Sequence, residues 1–132
     1  MSGAWARIRA DPLRWLLFAI AFGTFLSGLA LMALPGVVLD LLSAPTRTSD
    51  KLFFAIIGMF MAVVGGTLTQ TLLSPSPSEL VVGWSALQKL GASIAMSLAV
   101  ALDVFSNAGL ALVVFDFLSA VLAAAYWWRL RS

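Results

Sequence analysis

The chain has 132 residues, 61% hydrophobic and 11% charged, with a mean hydropathy of +1.01, whereas a soluble domain carries about 25% charged residues. Its net charge of +2 and pI near 9.7 do not point to nucleic acid, because the basic residues gather at the ends of apolar runs, where they meet lipid phosphates. With no Cys and no His, the sequence excludes disulfides, thiolate or imidazole metal sites, haem ligation through imidazole, and thiol or imidazole catalysis.

Four apolar runs fill most of the chain, over residues 15–34, 52–73, 80–102 and 110–128. Each is close to the roughly 20 residues that cross a hydrocarbon core about 30 Å thick. The expectation is an all-α integral membrane four-helix bundle, one domain over residues 1–132, with almost nothing left to build a soluble catalytic domain.

Residues 1–14 read as a short basic arm carrying Arg7, Arg9 and Arg14, with Trp5 and Trp15 suited to the membrane interface. The arm and first run resemble a leader, but the run is longer than the roughly 7–15 residues of a signal core and lacks a small-residue cleavage site. A retained first helix is therefore expected. Asp11-Pro12 starts it and Pro35-Gly36 breaks it. Residues 37–42 are apolar but short, interrupted by Asp40, and read as a helical turn at the interface. Ser49-Asp50 is expected to cap the second span, with Lys51 at its start.

Two prolines in Ser74-Pro75-Ser76-Pro77 stop that span, and Ser78-Glu79 caps the third. The third ends near Asp103, followed by turn chemistry in Ser106-Asn107 and Gly109. The fourth ends in Tyr126-Trp127-Trp128, an aromatic belt, and then Arg129 and Arg131. Four spans put both termini on one side, which carries five arginines against Arg47 and Lys51 opposite. The positive-inside rule then places both termini in the cytoplasm.

Ionisable groups inside a membrane are costly and invite a functional reading. Two lie deep: Lys89 in the third span and Asp116 in the fourth, at about 13 and 18 Å from the cytoplasmic end at 1.5 Å per residue. Antiparallel neighbours can bring them together. Against that, side chains lean toward their helix N-terminus, which would let Lys89 reach out to the cytoplasmic surface and leave the two satisfied separately; this alternative has the better of the argument. Even paired, the bridge reads as structural glue before it reads as a proton path. Gln88 beside Lys89 completes a possible polar pocket of Gln88, Lys89 and Asp116, and Gln70 is a further amide in the second span. Small residues at four-residue spacing are expected to let helices approach closely: Ala19, Gly23 and Ser27, with Thr24 and Gly28 beside them; Gly58, Gly65 and Gly66; Gly91, Ala95 and Ala99; Ser119 and Ala123. Met59 and Met61 lie on different faces and make no metal site.

The four-span outline, residues 51–58 with Gly65-Gly66, the stretch Trp84-Ser85-Ala86-Leu87-Gln88-Lys89-Leu90-Gly91, and Phe115-Asp116 together resemble the small four-helix bacterial membrane proteins of the DoxX-like type. That resemblance implies a bacterial inner membrane and transfers no activity. Small multidrug transporters are similar in size, but they depend on a carboxylate inside the first span, and residues 15–34 contain no charge. The sequence thus leads to a non-enzymatic membrane protein without metal or cofactor. It would serve as an accessory, scaffold or assembly subunit whose partners are membrane lipids and other membrane subunits or itself. A small transporter or channel-like oligomer using Lys89 and Asp116, and a lipid- or quinone-binding module of an electron-transfer complex, are the alternatives.

Overall fold

The computed structural model describes residues 2–132, with side chains from residue 3 onward. Its regular structure, among the described residues, is entirely helical: α1 Ser2–Ala10, α2 Pro12–Ala33, α3 Pro35–Leu41, α4 Thr48–Leu73, α5 Glu79–Ala101 and α6 Gly109–Arg131. Three of these, α2, α4 and α6, are long and apolar enough to cross a membrane. The 23-residue α5 is equally long, but Gln88 and Lys89 together with Ser85, Ser93 and Ser97 dilute its hydropathy. Three of its polar residues, Ser85, Lys89 and Ser93, are buried.

The helix boundaries follow local chemistry. Asp11, extended at φ −121°, ψ 106° as a residue before proline must be, separates α1 from α2, and its carboxylate accepts from the Arg14 backbone N–H at 3.4 Å. The segment expected to be a basic arm is therefore a helix, held down by the fully buried Ile8. The apolar stretch after Pro35 is a true short helix, α3, which buries Leu39. Helix α4 starts three residues before Lys51, at Thr48. Asp50 does not precede this helix as a cap. It sits in the first turn, where its carboxylate accepts from the Arg47 backbone N–H at 3.1 Å and from Arg47 Nε at 3.0 Å. Ser78 caps α5 by accepting from the Val81 N–H at 3.4 Å. Beyond α3 and α5 the chain turns through left-handed residues, Ser43 (φ 54°) and Asp103 (φ 60°). The N–H groups that follow return to helix carbonyls, Ala44 to Leu39 at 2.9 Å and Val104 to Ala99 at 2.8 Å.

The long helices associate as two antiparallel pairs, α2 with α4 and α5 with α6. The first pair is backbone-close. A Cβ added at Gly28 would lie 2.5 Å from Ala62 N and Gly58 O, one at Gly58 would lie 2.6 Å from Gly28 O, and one at Gly65 would lie 2.6 Å from Phe25 N. Contact of this kind supplies the packing energy that lipid cannot. The stripe through Gly23 and Ser27 does not make it: nothing lies within 4 Å of a Cβ at Gly23, and Ser27 is exposed. The interface runs through Ala21, Thr24 and Gly28, rotated from the expected face. Gly91 and Ala95 likewise sit on an exposed face of α5, while Ser119 and Ala123 are buried in α6.

The two pairs meet most closely at the end that carries both termini, around Leu17, Leu68, Leu72, Val82, Ala123 and Tyr126. Arg14, expected at the membrane surface, is buried there. Its Nε donates to Leu72 O at 2.9 Å, and a terminal nitrogen donates to Leu72 O at 2.5 Å and Ser74 O at 2.6 Å, occupying carbonyls that the end of α4 leaves open. Ion pairs Asp11–Arg129 and Glu79–Arg131 tie the helix ends together on the same side. At the opposite end Ser106 N–H donates to Leu42 O at 2.9 Å, and Phe54 meets Phe105 edge-on.

Candidate functional site

Halfway along the helices, the polar side chains converge on the seam between the two pairs. Lys89 comes from α5, Asp116 from α6 and Thr24 from α2. Counted along their helices at 1.5 Å per residue, they lie about 15, 22 and 18 Å from the end that carries the termini. The Lys89 side chain does not run out toward that end. The residue is only 5% exposed. Nζ donates to Thr24 Oγ1 at 2.6 Å and to Asp116 Oδ1 at 3.5 Å, and it stands 5.4 Å from the centre of the Phe115 ring. The Thr24 hydroxyl in turn donates to Ile20 O at 2.9 Å. The ammonium of α5 thus has a carboxylate, a hydroxyl and an aromatic face around it, supplied by α2 and α6.

The geometry brings Lys89 and Asp116 together, but the shorter bond goes to Thr24, which sequence reasoning treated only as a packing residue. A hydroxyl inside an apolar run was the available signal. It did not distinguish Thr24 from Ser27, because the sequence does not say which face of the helix points inward. Gln88 lies next to this group without joining it: its Oε1 is buried and has no hydrogen-bond partner. Gln70 is far from it, on the exposed face of α4.

Chemically, the group can hold a largely buried charge pair and fix the relative positions of α2, α5 and α6. It offers one carboxylate. Among the described residues no three carboxylates gather to form a metal shell.

A second feature lies on the outer face of the α2–α4 pair. Phe22, Phe25, Met32, Met59, Gly66 and Gln70 line a groove of about 720 Å³. Rings lead from α1 along α2 beside it: Trp5 of α1 is edge-on to Phe18, which stacks toward Phe22, which stacks toward Phe25, with centroids 5.8, 6.2 and 6.4 Å apart. Comparison of the chain with protein-family models, with curated proteins and with solved structures gives no match, so the reading of this protein rests on its own geometry.

Proposed function

We propose that the protein is a four-helix integral membrane protein of the bacterial inner membrane, with both termini cytoplasmic. In this reading it acts without enzymatic activity as an accessory or assembly subunit within the bilayer. The observation that carries this reading is the closure of the Lys89 group. The charge is spent on Thr24 and Asp116 within the protein, 5% exposed, and joins two helix pairs. An arrangement that satisfies itself serves position better than turnover. The length of α5 supports a fourth crossing, since its polar residues Ser85, Lys89 and Ser93 are buried and its residues Leu80, Leu87, Ile94 and Leu98 are exposed and apolar.

A second reading, a small transporter or channel-like oligomer, draws on the unpartnered Oε1 of Gln88 beside Lys89. Gentle detergent purification followed by mass spectrometry separates the two. Recovery in a stoichiometric complex with another membrane subunit is the expected result. A lone homo-oligomer with pH-dependent flux, abolished by Asp116→Asn, favours the second reading. Turnover or stoichiometric metal in the isolated chain refutes the first.

A further inference from the structure

Five arginines and two carboxylates sit at the end that carries the termini, and most of them are already engaged. Arg14 is committed to the carbonyls of α4, while Arg129 and Arg131 are paired with Asp11 and Glu79. That leaves Arg7 and Arg9 of α1 with no carboxylate within ion-pair distance among the described residues. Arg9 is exposed beside Trp5, and Arg7 reaches only Leu73 O, at 3.3 Å. Leu73 forms the near end of the apolar groove between α2 and α4. From Leu73 to Met59 the groove runs about 21 Å at 1.5 Å per residue, longer than the roughly 15 Å of one leaflet's hydrocarbon. Arg7 thus stands at the mouth of an apolar groove long enough to take a whole acyl chain, and Arg9, on a different face of α1, lies beside Trp5, from which the Trp5–Phe18–Phe22 rings lead to the groove.

We infer that this groove is a seat for one anionic phospholipid, its phosphate held by Arg7 with Arg9 adding positive charge at the same end, and one acyl chain laid between Phe25 and Met59. The inference rests on the membrane insertion proposed above. The two cations without a carboxylate favour a phospholipid over a partner helix: an apolar transmembrane helix would fill the groove but bring them no negative charge, whereas an anionic lipid answers both parts at once.

The test reconstitutes the full chain into phosphatidylcholine nanodiscs doped with either phosphatidylglycerol or phosphatidylcholine bearing a photoreactive tail, and maps the adducts by mass spectrometry. Adducts are expected to concentrate on groove residues such as Phe25 and Met59, with the phosphatidylglycerol probe labelling severalfold more than the phosphatidylcholine probe. Arg9→Gln, at an exposed position, should lower that ratio about fivefold. Gly66→Leu should suppress groove labelling by both probes, because a Cβ there meets only the Phe25 ring, at 3.4 Å, and the longer side chain fills the channel. Equal labelling by both probes, or adducts spread evenly over the outer faces of the long helices, overturns the inference and leaves ordinary surrounding lipid. A chain that does not enter the discs overturns the membrane reading together with it, so the two failures are distinguishable.

Discussion

Lys89→Met removes the one ammonium that compensates Asp116, whose side chain is 16% exposed and which makes no other ion pair among the described residues. Breaking a buried pair from one side costs about 3–5 kcal/mol. The partial exposure of Asp116 and the long 3.5 Å contact place this change near the lower limit, about 3 kcal/mol. Asp116→Leu is milder, about 2 kcal/mol, because Lys89 keeps its 2.6 Å bond to Thr24. Independent sites would then lose about 5 kcal/mol in the double variant. A coupled pair should lose only about 2–3 kcal/mol, since removing both charges leaves nothing stranded. Reversible unfolding in mixed detergent micelles, followed by tryptophan fluorescence, measures all four corners of the cycle. A double variant at the additive value, within about 0.5 kcal/mol, would refute the claim that the two residues act together.

Gly58→Leu should disrupt the α2–α4 pair by more than about 3 kcal/mol, since the added atoms meet Gly28 O and Met32 N of the facing backbone, while Gly23→Ala and Gly91→Ala, with open space beside them, should stay within about 0.5 kcal/mol in the same unfolding assay. Arg14→Gln is expected to lower stability by about 2 kcal/mol because the Leu72 and Ser74 carbonyls lose charged donors, and hydrogen exchange should rise first in the last turn of α4. Cysteines at Thr46 and Asn107 should react with an impermeant reagent from outside the cell and those at Ser76 and Ser132 only after permeabilisation; labelling of Ser76 in intact cells would overturn the proposed orientation.

Helix extents were legible because run length and proline are strong signals. Pro35, Pro75 and Pro77 end the first two long helices within a residue or two of the expected places. Facing was not legible. A helix apolar all round gives no stripe to mark its inner side, so small residues on two neighbouring stripes of α2, Gly23 with Ser27 and Thr24 with Gly28, look alike in the sequence, and nothing there marks Thr24 as the nearest partner of Lys89. Arg14 was hidden for a different reason. A basic residue near a membrane surface looks like an anchor until the neighbouring helix end, 58 residues later in sequence, presents its open carbonyls. The burial of Lys89 likewise depends on acceptors that belong to other helices.

Each close pair is made of long helices adjacent in the chain, and this bears on the order in which the protein is made. Synthesis proceeds from the N-terminus, so α2 and α4 can meet through their glycines before α5 leaves the ribosome. Lys89 is then made 27 residues ahead of Asp116, its counter-charge. The Thr24 hydroxyl belongs to the first of these pairs, so of the two acceptors of the ammonium it is the one made before Lys89, and the carboxylate is made after it.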